Sequence, residues 1–158
     1  MAFVCTIKRE TFDPVPIVDG SSVMVIVDVG YDDEKRVDYK ITVGFEPVPG
    51  SDALEYFFHL LEIDRESGIP YPYWSGKDTN FIVGEDRLHV RQAVELATGF
   101  ILIGLKPKTI ERTTRDSNLP PEALVKHLNI QKIFEAAGYA VTATEVRYGN
   151  VFWRMERS

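Results

Sequence analysis

The sequence predicts an α+β fold in a single domain over residues 1–158: a mixed or mostly antiparallel sheet, about three helices, and a C-terminal helix followed by a β-hairpin. Three observations carry this. Val37, Tyr39, Ile41, Val43 and Phe45 alternate with Asp38, Lys40, Thr42 and Gly44, the period of two of a half-buried strand. Hairpin-like and helix-like stretches interleave, which argues against a doubly wound parallel sheet. Near the end, a helical pattern closes on Gly138 and two strand-like runs flank Tyr148-Gly149-Asn150, a turn of hairpin composition.

Taken in order, Phe3–Arg9 reads as a first strand. Val23–Val29 is apolar on both faces except at Asp28, the pattern of a central, covered strand. The polar turn Tyr31–Lys35 joins it to the alternating strand. Ser51 or Asp52 is placed to cap a helix running to about Asp64, with Leu54, Phe57, Phe58 and Leu61 as its apolar stripe. A long connection, Arg65–Thr79, follows. Pairs at Pro14/Pro16, Pro47/Pro49 and Pro70/Pro72 mark connections, because proline fixes φ and disfavours helix at the preceding residue.

Beyond these, Asn80–Val83 predicts a short strand and Asp86 caps a helix through Ala97–Thr98, closed by Gly99. Phe100–Leu105 then reads as a buried strand, and Thr109–Arg115 as an extended, polar one. Pro120 or Pro121 opens the last helix. Its apolar positions, Leu124, Leu128, Ile130, Ile133, Phe134 and Ala137, shift register near Asn129, which predicts a bend.

Composition narrows the function classes. At 158 residues and 44% hydrophobic, the chain needs no metal or disulfide staple to build a core. The single Cys5 excludes an intramolecular disulfide. The start of the chain lacks the apolar run of a secretory signal, and the longest apolar runs fall short of the roughly 20 residues of a membrane span. The expectation is a cytoplasmic protein that binds no membrane. The net charge of -6 is unevenly spread: residues 1–105 hold 18 acids and 9 bases, and residues 106–158 hold 6 acids and 9 bases. A pI near 5.1 argues against general nucleic-acid binding.

Most catalytic motifs are missing. There is no Gly-x-Gly, so the dinucleotide fingerprint is absent. The segment Gly99–Lys106 has only half the spacing of a phosphate loop, and bulky apolar residues fill it. His59, His89 and His127 lie far apart, with no local zinc-ligand pair, and His59 and His127 read as packed structural side chains. Cys5 reads as a small buried residue rather than a nucleophile. No Gly-x-Ser-x-Gly elbow occurs.

Two patterns resemble enzyme families. Val25–Gly30 with Asp28 on a central strand, followed by Glu85 and Asp86, resembles the metal-binding carboxylates of ribonuclease-H-like nucleases, which hold Mg²⁺ against phosphate. In that reading Asp28, Glu85 and Asp116 converge. Lys132–Val141 and the hairpin closing on Trp153–Arg157 are similar to the end of acetyl-CoA-dependent N-acetyltransferases. That resemblance covers about the final 30 residues and implies a coenzyme-linked substrate, although the superfamily's coenzyme loop is absent here.

Two segments remain as binding candidates. Ile69–Gly76 places Tyr71, Tyr73 and Trp74 among prolines, and stiff aromatic loops supply contact area at low entropic cost. Lys106–Asp116 offers Lys106, Lys108, Arg112, Thr113, Thr114 and Arg115, able to grip a small anionic ligand such as a phosphate or carboxylate. A polar edge strand, kept from pairing by its basic side chains, explains the same segment. Together these predict an acidic binding or regulatory protein acting through a protein partner, with no cofactor and no metal. The alternative is an enzyme on a phosphorylated or coenzyme-A-linked substrate.

Overall fold

A computed structural model describes residues 3–7, 12–74, 79–114 and 121–158, without the side chains of 121–125. Its strands are β1 (Val4–Cys5), β2 (Val15–Asp19), β3 (Ser22–Asp32), β4 (Val37–Pro47), β5 (Leu54–Asp64), β6 (Pro70–Tyr73), β7 (Thr109–Thr114), β8 (Tyr139–Arg147) and β9 (Asn150–Arg157). The helices are α1 (Gly84–Leu105) and α2 (Pro121–Ala136). All nine strands belong to one sheet, ordered β1-β3-β4-β5-β7-β9-β8, with β2 beside β3 and β6 beside β5. The pairing of β5 with β7 is parallel, whereas β1–β3, β5–β6, β7–β9 and β8–β9 are antiparallel, so the sheet is mixed. The α+β class holds, with two helices among the described residues in place of three.

Four expected elements differ. Residues expected as a helix up to Asp64 form strand β5. Leu54, Phe57, Phe58 and Leu61 have helical spacing, but as a strand the run has one wholly apolar face, Leu54, Tyr56, Phe58 and Leu60, and places Phe57 and Leu61 on the other. An interior strand covered on both sides gives the same pattern. The helix expected to stop at Gly99 and the strand expected at Phe100–Leu105 are one helix, α1. Ala97, Thr98, Ile101 and Leu102 are all buried, so tertiary packing outweighs the roughly 1 kcal/mol that an interior glycine costs. At 22 residues α1 is, by length and composition alone, apolar enough to cross a membrane, which revises the expectation of no such segment; 33% of its most apolar window is buried in the protein. Asn80–Phe81 is a turn, not a strand.

The Pro70/Pro72 pair does not interrupt the sheet but forms β6, whose Pro70 and Pro72 pair with Ile63 and Leu61. Proline without an N–H is tolerated there because, among the described residues, β6 has β5 as its one neighbour in the sheet. Strand β7, expected at an edge, lies between β5 and β9. The first strand is limited to Val4–Cys5, and residues 8–11 lie outside the described ones.

The chain divides into two compact units. One comprises Met1–Ile17, Met24–Val43 and Phe58–Ala97. Its core joins Val25, Val27 and Val29 of β3 with Val37, Tyr39 and Ile41 of β4, all buried. An aromatic cluster continues it: Phe3 lies edge-on to Tyr39 at 5.3 Å, and Phe81 lies 5.3 Å from Tyr39 and 6.0 Å from Tyr73. The Tyr39 hydroxyl donates to Glu62 Oε1 at 2.6 Å. The β3–β4 turn is held by Asp32, whose Oδ1 accepts from the Glu34 and Lys35 N–H groups at 3.0 and 3.1 Å.

The second unit comprises Val18–Val23, Gly44–Phe57 and Thr98–Ser158. Phe45, Tyr56, Ile110, Ile130, Phe134, Tyr139 and Met155 are buried in it. Tyr56 meets Phe134 perpendicularly at 5.0 Å, and its hydroxyl hydrogen-bonds that of Thr98 at 2.6 Å. The closing strands pair as a hairpin turned by Tyr148 and Gly149, with φ of 52° and 77°. Positive φ at both positions is the primed turn that matches strand twist. The hairpin is not simple: a register shift falls between Val141 and Ala143, and β9 also pairs with β7.

Candidate functional site

The last turns of α1 and α2 line a groove of about 610 Å³. On α1, Gly99, Leu102 and Ile103 recur at i, i+3 and i+4, so one helical face supplies them, and Lys106 follows directly after the helix. On α2, Ile133 and Ala136 share a face over one turn, and Ala137 follows in the turn after the helix. Tyr139 and Arg157 complete the lining. The floor is apolar: Leu102 is buried, while Ile103 remains 76% exposed and Phe100, next on the helix, 45% exposed.

Local structure places the charges. Lys106 ends α1, with φ +45° and its N–H donating to the Leu102 carbonyl at 3.2 Å, the geometry of a left-handed C-cap. That conformation costs a lysine roughly 1–2 kcal/mol that a glycine would not pay. Pro107 then prevents the helix from continuing. Arg157 is anchored by its backbone N–H to the Lys108 carbonyl at 3.0 Å. The Tyr139 hydroxyl donates to the Pro107 carbonyl, and burial raises its pKa while nearby Arg157 lowers it. Among the described residues, no ion pair involves Lys106 or Arg157.

The basic segment anticipated from sequence is dispersed. Lys106 is at the groove and Lys108 is exposed on the connection to β7. Arg112 is 4% exposed, its Nη2 donating to His127 Nδ1 at 2.8 Å and its guanidinium 5.8 Å from the Tyr56 ring and 6.0 Å from the Phe134 ring. Burial pulls its pKa below the usual value. Since Arg has only donors, His127 Nδ1 is the acceptor and the ring is neutral. Burial, then the charges of Arg112 and Lys126, push its pKa down to about 3.

Thr114 is also buried; its hydroxyl accepts from Trp153 Nε1 at 3.3 Å and donates to the Val151 carbonyl at 3.5 Å. Thr113, on the other face of β7, lines a smaller groove of about 300 Å³. Two ion pairs lie there, Arg154 with Glu111 at 3.0 Å and Arg147 with Glu145 at 3.1 Å, and Glu55 adds a further carboxylate beside Glu111. Arg115 lies outside the described residues. Of the five described groups, Lys106 lines one groove, Arg112 and Thr113 line the other, and Lys108 and Thr114 line neither.

The aromatic segment is part sheet, part surface. Tyr71 and Tyr73 share a face of β6, with rings 5.0 Å apart. Tyr71 is 60% exposed, while Tyr73 packs on Phe81. Trp74 is 45% exposed, and its ring lies 4.3 Å from that of His59. Burial pushes the pKa of His59 down to about 4.

Two of the acidic residues compared with nuclease carboxylates, Asp28 and Glu85, stand exposed. Asp28 is exposed on β3 and paired with Lys40 Nζ at 2.6 Å. Glu85 sits exposed in the first turn of α1, where an acid complements the helix dipole. Asp116 lies outside the described residues. No protein-family model and no curated protein sequence matches this chain.

Ile103, Ile133 and Arg157 are not singled out as binding residues by the sequence, which reads Ile103 into a buried strand and Ile133 into the apolar face of the last helix. Their signal was present: Gly99 to Lys106 has helical spacing once Gly99 is read as interior to a helix rather than as its stop.

Proposed function

We propose that this chain is a binding protein that acts through a protein partner, without a cofactor, and that the partner lays an amphipathic, acidic helix into the groove between α1 and α2. The observation carrying this reading is the groove itself, an apolar floor between two helical stripes with Lys106 and Arg157 at its margin. Side chains spaced i, i+3 and i+4 on α1 and i, i+3 on α2 form ridges between which a third helix packs, its own apolar stripe inward. The two cations choose the partner's charge, since carboxylates beside them gain most when the apolar floor excludes water. A volume of about 610 Å³ is within the ordinary range for a ligand cleft.

The experiment is methyl NMR on the full chain, titrated with a synthetic helix carrying a leucine stripe flanked by glutamates. The same helix flanked by lysines and zwitterionic lipid vesicles serve as comparisons. The reading expects saturable shifts at the Ile103 and Ile133 methyls with the acidic helix and much weaker ones with the basic helix. Unmoved Ile103 and Ile133, shifts centred on the Leu60 and Leu61 methyls of the strand that pairs with β6, or an equal response to vesicles overturns it.

A further inference from the structure

We propose that Cys5, Asp86 and His89 form a binding site for a zinc-class divalent metal ion. Cys5 Sγ, an Asp86 carboxylate oxygen and a His89 ring nitrogen all lie within 4.8 Å of one another. Two elements bring them together. Cys5 is fixed on β1 by its register opposite Gly30 of β3. Asp86 and His89 stand three residues apart near the start of α1, hence on one helical face. More than 80 residues separate Cys5 from the other two, so no local ligand spacing advertises the set.

The donor chemistry selects the ion. One thiolate, one imidazole and one carboxylate suit zinc or cobalt, whereas magnesium and calcium require oxygen donors in greater number. Bonds of about 2.0–2.3 Å place tetrahedral donors about 3.3–3.8 Å apart, within reach of these side chains by small rotations. All three residues are half-buried, shielded enough to hold an ion and open enough to admit one. The helix dipole accounts for an acid at Asp86. It does not account for the convergence of Cys5 and His89 on it. Three protein ligands leave a fourth position for water or an external donor, as in catalytic rather than structural zinc sites.

The Cys5 thiol now faces the Ile7 carbonyl at 3.7 Å. On binding, its S–H bond breaks, the proton passes to solvent and an Sγ–metal bond forms, with no change of oxidation state.

The test is titration of metal-free full-length protein with ZnCl₂ and, separately, CoCl₂, read by thermal unfolding and by Co(II) absorption. One equivalent should raise the Tm, and cobalt should give the ligand-field bands of a four-coordinate ion with a thiolate charge-transfer band. Cys5→Ser should abolish that charge-transfer band. His89→Gln and Asp86→Asn, which keep side-chain bulk, should each weaken zinc by about 100-fold or more. Excess MgCl₂ should not compete. Absence of stoichiometric zinc binding overturns the site, as does a cobalt spectrum unchanged in Cys5→Ser and His89→Gln. Either failure leaves the groove between α1 and α2 untouched.

Discussion

The guanidinium of Arg112 donates to Nδ1 of His127 across 2.8 Å in the interior of one unit, and among the described residues no carboxylate pairs with it. A buried cation is thus held by a neutral imidazole and two aromatic faces, Tyr56 and Phe134. The arrangement works only while His127 is unprotonated.

Acid should therefore weaken the protein well above the carboxylate range. His127 ionises near pH 6.5 when unfolded but only at about 3 when folded, and His59 at about 4. Between those values the unfolded chain binds protons that the native one does not, so stability is full above pH 6.5 and falls as pH drops. Each histidine contributes at most about 1.4 kcal/mol per pH unit. Urea unfolding from pH 7.5 to 4.5 should show this slope, and His127→Gln should flatten it while keeping an acceptor for Arg112.

Glu55 supplies a dependence of opposite sign. Burial, then the charges of Glu46 and Glu111, raises its pKa, and Glu111 stands directly across the β5–β7 pairing. Its native state holds a proton more tightly than its unfolded state, so this group's contribution declines as pH rises through the carboxylate range. Glu55→Gln should raise Tm at pH 7 and have little effect near pH 4. A loss of stability at pH 7 would contradict the assignment.

Two glycines should respond in opposite directions to alanine. A Cβ on Gly30 would stand 2.3 Å from the Val4 carbonyl oxygen and 2.5 Å from the Phe3 ring, so Gly30→Ala should force β1 from β3 and cost about 1–3 kcal/mol or more. Gly99 has open space around it, and Gly99→Ala should stabilise α1 by up to about 1 kcal/mol. Chemical denaturation of the two variants measures both.

Trp74 shields His59. Trp74→Ala should let the His59 pKa climb from about 4 back toward 6.5, read by NMR titration of the ring. Tyr71→Ala, at a 60% exposed position, should change stability by less than about 0.5 kcal/mol.

The strands with a strict alternation were legible in the sequence. From Val37 to Ile41 buried residues alternate with half-buried Asp38 and Lys40, and the period of two follows from that; from Thr42 to Phe45 both faces are buried. Residues 54–61 were not, because a strand covered on both faces has no period of its own and borrowed a helical one from Leu54, Phe57, Phe58 and Leu61. Gly99 misled for a different reason: a glycine marks a helix end only when burial on both sides does not carry the helix through. Cys5, Asp86 and His89 stayed invisible because register and helix phase, not spacing, bring them together. Lys106 was singled out for its charge; its apolar surroundings came from joining two segments read as separate.

The most direct measurement of the central claim is the affinity of the acidic amphipathic helix for the wild-type chain, Ile103→Asp, and Lys106→Glu with Arg157→Glu. Ile103 is 76% exposed and Lys106 and Arg157 are exposed, so these variants should retain the wild-type Tm to within a few degrees. Ile103→Asp should lose at least about tenfold in affinity, and the double charge reversal should prefer the lysine-flanked helix. Unchanged affinity in the folded variants, with no exchange of charge preference, would contradict docking between α1 and α2.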